Sequence, residues 1–306
     1  MTMRYPTILV IGGTGFIGSH IVARLAAAGH QLIVPTRRLQ HARHLMVLPT
    51  VRIVEADIHD DAALGRLIAQ ADAVINLVGV LHSKPGHPWG PQFERAHVAL
   101  PARIAEACLQ HGVKRCLHMS ALGAAIDAPS MYLRSKAAGE QRMQTAPGLQ
   151  VTSFRPSVVF GPEDQFLNVF ARMQAVLPVM VLGGASAKFQ PVFVGDVAQA
   201  FVDALDDVHS VGKTYELIGP RVYSLAELVK LAGAYAGHPR PVIALPAPLA
   251  RLQAFLLEHM PGGPIMSRDN LDSMKSDNIA SAQYPVPPNW HPTPLEAVAP
   301  HYLSPH

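Results

Sequence analysis

Residues 8–18 read Ile-Leu-Val-Ile-Gly-Gly-Thr-Gly-Phe-Ile-Gly, an apolar run that breaks into glycines at positions 12, 15 and 18. It is followed directly by Ser19-His20-Ile21-Val22-Ala23-Arg24-Leu25, whose apolar residues recur at helical spacing. A strand, a tight turn and a helix must therefore follow one another here. Without a Cβ, glycine lets the backbone turn sharply, approach a pyrophosphate closely and pack the new helix onto the strand. The helix start then aims free amides and a positive dipole end at the phosphates. Gly12, Thr14, Gly15, Phe16, Ile17 and Gly18 are accordingly predicted to bind the phosphates of a dinucleotide.

Apolar β-type runs alternate with amphipathic helices from the first residues to about Phe154, which predicts a parallel sheet with right-handed crossovers. The runs place strands near 7–11, 31–35, 51–55, 72–78, 114–119 and 150–154, and helices near 16–28, 39–46, 60–70, 91–111 and 130–145. After Arg155-Pro156, prolines and glycines come at shorter intervals, with helices expected at 195–206, 224–236 and 247–259 and a proline-dense tail from Pro285 wrapping the surface. The expectation is an α/β chain: a Rossmann-type doubly wound parallel sheet over 1–160 and a smaller substrate or partner lobe over 161–306, interwoven with it. With 306 residues, 49% of them hydrophobic, the chain can bury a core of that size.

A formal charge of +3 with 15% charged residues leaves no basic stripe for a phosphate backbone, which argues against a nucleic-acid partner. Cys108 and Cys116, each without a Cys-x-x-Cys partner, read as buried thiols of a reducing compartment. No signal-peptide pattern and no bilayer-length apolar run is visible, so a cytoplasmic location is expected, with peripheral attachment at the inner face of the membrane left open. His41 and His44 could share a helix face but lack a third ligand, so no metal is expected and the 16 histidines are read as solvent-exposed. Gly212-Lys213-Thr214 lacks the earlier glycine of a phosphate loop and precedes a strand pattern rather than a helix. The apolar stripe Leu249, Leu252, Leu256 and Met260, widened by Phe255 and Leu257, is expected to face the core, a membrane-surface or partner-docking face being the alternative.

Past the second strand, where an NAD-preferring chain places an acid for the ribose 2′-hydroxyl, this chain has Thr36-Arg37-Arg38. Arg37, with Arg38 as second choice, could fork onto a 2′-phosphate, so NADP(H) is favoured over NAD(H). The fifth strand ends at Ser120, and Tyr132 and Lys136 follow four apart, on one helix face. Such a set suits carbonyl chemistry: Tyr132 would exchange the proton of an alcohol or alkoxide, Ser120 would hydrogen-bond the same oxygen, and Lys136 would tune the phenol.

These motifs resemble the extended and atypical short-chain dehydrogenase/reductases, which carry Gly-Gly-Thr-Gly-Phe-Ile-Gly in this form. The resemblance implies that Asp57, followed by Ile58, meets the adenine amino group. It implies also that Asn76, Val78 and Gly79 pass close to the adenosine ribose, and that Pro156, Ser157 and Val158 close over the nicotinamide ribose. Together with Gln190-Pro191-Val192-Phe193-Val194-Gly195-Asp196 the chain is similar, from Ile8 to about Leu303, to the branch holding the nucleotide-binding accessory subunit of respiratory complex I. Extended members carry an Asn where this chain has His97, and that Asn supports a water relay to the lysine; His97 either substitutes for it or packs. Two readings follow. One is an oxidoreductase or epimerase acting on an unidentified small or lipid-like substrate; the other is a non-catalytic NADPH-binding accessory protein with a partner in respiratory or quinone-biosynthetic machinery.

Overall fold

The computed structural model describes residues 4–259 and 266–304. Seven strands form its main sheet: β1 (Thr7–Ile11), β2 (Gln31–Thr36), β3 (Val51–Glu55), β4 (Ala73–Asn76), β5 (Arg115–Met119), β6 (Gln150–Pro156) and β7 (Thr214–Leu217). Their spatial order is 7-6-5-4-1-2-3, and every pairing is parallel. The order reverses between β1 and β4, and it is there, at the carboxyl ends, that a doubly wound sheet holds its ligand. The Gly212-Lys213-Thr214 sequence leads into β7 and not into a helix.

The helices are α1 (Phe16–Ala27), α2 (Asp61–Ile68), α3 (Leu100–His111), α4 (Met131–Gln144), α5 (Leu167–Val176), α6 (Val194–Asp206), α7 (Leu225–Tyr235), α8 (Ala247–Glu258), α9 (Arg268–Ser273) and α10 (Leu295–Leu303). Alternation along the strands divides the core. Ile8 and Val10 of β1 face α1 and α6 with Ile21, Leu25 and Phe201, while Leu9 and Ile11 face α2 and α3 with Leu64 and Ile104. Each fully buried side chain of this size contributes about 1.5–3 kcal/mol.

Several boundaries differ from the sequence expectation, each for a local reason. Strand β4 ends at Asn76 because Asn76 Oδ1 accepts the amide of Val78 at 3.2 Å and bends the chain out of the sheet. Leu39–Leu45 is a 3₁₀ turn, its buried residues Ala42 and Leu45 falling three apart, as that helix requires. The helix expected at 91–111 does run from Pro91, but Glu94–Ala99 is a π-helical turn that carries His97.

The second half of the chain contributes β7 and α6 to the main unit and builds its own cluster from Phe160, Leu167, Leu228 and the face Leu295, Ala299 and Leu303 of α10. The tail is thus anchored by a helix rather than only laid on the surface. Helix α8 overturns an expectation: Leu249, Leu252, Phe255 and Leu256 are exposed, and only Ala250 and Ala254 are buried. The cause is close packing, since a Cβ on Gly183 would lie 2.7 Å from Cβ of Ala250, a separation only small residues permit. Met260, at the end of that stripe, lies outside the described residues. Among the described residues no helix is long and apolar enough to cross a membrane.

Candidate functional site

The glycine turn is closed on one side and open on the other. Gly12 has φ +85°, and a Cβ there would press Leu77 and Val78 of the neighbouring strand end at 3.2–3.3 Å. At Gly18 a Cβ would sit 2.3 Å from the Gly12 carbonyl oxygen, so the first turn of α1 lies directly on the turn's backbone. At exposed Gly15, by contrast, a Cβ would meet only that oxygen, at 3.4 Å. The open side is where the unpaired amides at the start of α1 point. A Gly18→Ala change is therefore expected to unseat α1: thermal unfolding should move down by several degrees, at about 4–8 °C per kcal/mol for a small domain and less for a larger one.

At the far end of the crevice Arg37 and Arg38 are exposed, and neither guanidinium has a hydrogen-bond or ion-pair partner among the described residues. Asp57 is exposed, accepts the amide of His59 at 2.9 Å and lies 3.8 Å from Arg95. The His59 amide first, then the nearby cations, hold its carboxyl below the usual range. Ile58 and Val78 are half buried against the core beneath, and Gly79 is exposed at the strand end. Asn76 is fully engaged inside the protein, through Nδ2 with His118 Nδ1 at 3.2 Å and through Oδ1 with Val78.

Lys136 of α4 reaches the end of β5, where Ser120 lies, and Tyr132 stands one helical turn before it on α4. Lys136 Nζ donates to the Met119 carbonyl at 2.7 Å, and the buried Ser120 Oγ has no partner among the described residues. Burial pushes the Tyr132 phenol up to about 12 and the Lys136 ammonium down to about 8, Glu140 opposing the latter shift. Helix α4, which carries Tyr132 and Lys136, is fixed at three points. Glu140 grips Arg155 of β6 in a two-pronged pair at 2.9 and 3.0 Å. Ser130 caps the amide of Leu133. The carboxylate of Asp269, on α9, accepts the amides of Met131 and Tyr132 at 2.7 and 3.0 Å.

His97 packs. Its ring stacks on Phe93 and meets Tyr132 edge-on at 5.5 Å, its Nε2 accepts the Val80 amide at 2.9 Å, and its Nδ1 lies 2.8 Å from Ser135 Oγ. Because Ser135 Oγ donates to the Tyr132 carbonyl, Nδ1 is the donor and the ring is neutral. Burial first, then Lys136 and His118, press its pKa down to about 2. Both ring nitrogens are occupied, so His97 holds the loop after β4 rather than relaying protons. The histidines are not all exposed as the composition suggested: His30, His97 and His118 are buried.

Pro156, Ser157 and Val158 lie against a segment whose participation the sequence does not signal. Ser157 Oγ donates to Asn278 Oδ1 at 2.6 Å, and the same oxygen accepts the Val158 amide at 3.2 Å. Asn278 and Asp269 sit in 266–284, where no periodicity or motif marks them. His118 lies one residue before the end of β5, the strand end that the sequence marks through Ser120.

The open phosphate cradle, the free arginines and the orphaned Ser120 hydroxyl fit a nicotinamide dinucleotide. A parallel sheet with this reversal, this turn and a Ser, Tyr and Lys at the fifth strand define a dinucleotide-binding protein of the short-chain dehydrogenase/reductase type. The chain belongs to the NAD dependent epimerase/dehydratase family, whose model matches residues 8–219. It is 34% identical over 289 residues to the mitochondrial NADH dehydrogenase (ubiquinone) 1 alpha subcomplex subunit 9 of Arabidopsis thaliana, covering 89% of this chain and 70% of that one. The Mus musculus protein of that name is 33% identical over 300 residues, covering 94% and 77%. Among solved structures, Pal from Bacillus thuringiensis shares the fold with a TM-score of 0.75 at 18% identity, over 97% of this chain and 98% of that one. The UDP-glucose 4-epimerase of Thermus thermophilus, solved with NAD, does so with a TM-score of 0.66 at 24% identity, over 88% and 99%.

Proposed function

We propose that this protein is an NADP(H)-dependent oxidoreductase in which Tyr132 is the proton donor and acceptor, Ser120 holds the reacting oxygen and Lys136 orders the site. The observation that carries this reading is the buried, unpartnered Ser120 hydroxyl at the end of β5, beside the lysine that anchors the Met119 carbonyl. When bound, the nicotinamide supplies or accepts the hydride. Tyr132, whose phenol is protonated at neutral pH and is held more firmly so by burial, gives its proton to the developing alkoxide, and Ser120 donates a second hydrogen bond to that oxygen. Gly12, Thr14, Gly15, Phe16, Ile17 and Gly18 hold the diphosphate in this reading. Asp57 and Ile58 flank the adenine, Val78 and Gly79 the ribose, and Pro156, Ser157 and Val158 the nicotinamide side. Asn76 shapes the strand end through its bonds to His118 and Val78.

The preference for the 2′-phosphate rests on Arg37 and Arg38, which have no other partner among the described residues. Arg37→Glu should weaken NADPH binding by about 10–100-fold, the loss of one charge-assisted bond at about 1.5–3 kcal/mol, and should leave NADH nearly unaffected. Calorimetric titration with both nucleotides checks this; equal losses for the two would remove the assignment.

A second reading is supported by the likeness to the two mitochondrial subunits, whose name places them in NADH dehydrogenase (ubiquinone). On it the chain binds the dinucleotide as a structural ligand and docks on a respiratory partner. Turnover with carbonyl substrates, absent on this reading and present on the first, separates the two. The same likeness is compatible with attachment at a membrane surface, and residues 1–160 would form the dinucleotide unit with 161–306 as the interwoven lobe.

A further inference from the structure

Beside the catalytic helix lies a cavity of about 200 Å³, walled by α5, α8, α9 and the loop after β4. Phe166, Phe170, Met173, Leu257 and Met274 supply much of its surface, and among the described residues no Asp, Glu, Lys or Arg lines it. Its polar lining is largely spoken for. Gln253 accepts the Gly183 amide and donates to the Val181 carbonyl, and Asn270 Oδ1 caps Ser267. His82 Nδ1 is the one buried lining side-chain atom without a hydrogen-bond partner among the described residues.

The cavity is joined to the site by the chain itself. Leu81 and His82 follow Val80, whose amide is held by His97, and a methyl on Gly79 would lie 3.9 Å from Lys136 Nζ. On the opposite wall Asn270 follows Asp269, which holds the Tyr132 amide. A ligand filling the cavity therefore lies between the loop after β4, which His97 holds, and α9, which holds the Tyr132 amide.

We propose that this cavity receives the hydrocarbon part of a neutral, apolar carbonyl or alcohol substrate, which presents its polar end toward Tyr132. A sugar nucleotide does not suit it: a diphosphate brought among phenylalanines and methionines with no cation would lose its hydration without compensation. A neutral oxygen needs only hydrogen bonds, and the orphaned nitrogen of His82 can supply one. On size, a dry apolar cavity of about 150 Å³ takes up benzene, so this one holds a chain of about six to eight carbons.

The substrate class rests on the oxidoreductase reading, and binding is measured apart from turnover. Straight-chain alkan-1-ols of increasing length, unreactive toward the reduced nucleotide, are titrated calorimetrically into the NADPH-saturated protein. Affinity should rise about three- to fourfold per added methylene, which corresponds to about 0.8 kcal/mol each, and level off once the cavity is full. Val169→Trp, which fills the cavity from α5, and the milder Val169→Phe should flatten that dependence while NADPH affinity holds. Affinity independent of chain length in the unaltered protein, or binding of UDP-glucose in competition with octan-1-ol, would overturn the proposal. Chain-length-dependent binding without NADPH consumption on the matching aldehydes would uphold the cavity's role and remove the catalytic reading. NADPH consumption on short polar carbonyls without that dependence would do the reverse.

Discussion

Replacing Tyr132 with phenylalanine is expected to lower kcat for carbonyl reduction by about 10²–10⁴-fold, the range a positioned proton donor supplies. NADPH affinity and thermal stability should stay nearly unchanged. The ring of Tyr132 is held by edge contacts with Phe93 and His97, at 6.0 and 5.5 Å between centroids, and a phenyl ring keeps both. The hydroxyl makes no hydrogen bond to the described residues, so its removal breaks no structural link. What is lost is the proton, which burial retains on the oxygen up to about pH 12 and which an alkoxide requires. Lys136→Met should behave differently: Nζ donates to the Met119 carbonyl, and its removal leaves that buried oxygen unpaired beside Ser120, so stability and cofactor binding fall together with kcat. Single-turnover absorbance of NADPH, with calorimetry on the same samples, measures both halves. Full turnover by Tyr132→Phe would show that the phenol is not the donor and would leave the accessory-protein reading standing.

The main sheet was legible because β1, β2 and β4 at its centre are apolar runs bracketed by turn residues, and parallel strands buried on both faces have to be written that way. The glycine turn was legible for a steric reason, since Gly12 and Gly18 fill places where a Cβ would strike backbone. Tyr132 and Lys136 could be paired by helical spacing alone. Helix α8 misled because periodicity reports a stripe but not the side on which the partner lies: the face of Ala250, packed on Gly183, and Ala254 is buried in place of four larger apolar residues. Asp269 and Asn278 were illegible because their partners are backbone amides more than a hundred residues away, at Met131, Tyr132 and Val158, and a backbone amide leaves no mark in sequence. The neutrality of His97 likewise depends on Val80 and Ser135 arriving from two different elements.

Acid should unfold this protein early, and the two buried histidines at the sheet's carboxyl edge are the cause. His97 is pressed down to about 2 and His118 well below its usual 6.5, in each case first by burial and then by the Lys136 charge. Their neutral forms are the folded ones: His97 accepts an amide through Nε2, and His118 Nδ1 faces the Asn76 amide. In the unfolded chain both take up a proton as pH falls through about 6.5, whereas the folded chain does not, so stability is complete above that pH and declines below it. Each group contributes about 1.4 kcal/mol per pH unit, and the pair together about 4 kcal/mol between pH 7.5 and 5.0. That is a large part of the roughly 5–15 kcal/mol by which a folded domain exceeds its unfolded state. His20, His59 and His82 are lowered in the same direction, mainly by burial, and act more weakly because they remain partly accessible. Urea titrations at the two pH values measure the difference directly. His97→Asn should reduce it by about half whatever it does to stability at pH 7.5, since a group that cannot titrate contributes nothing to the slope. An unfolding free energy equal at pH 7.5 and 5.0 would mean that neither ring is held neutral by the fold, and that Val80 and Asn76 do not fix them as described.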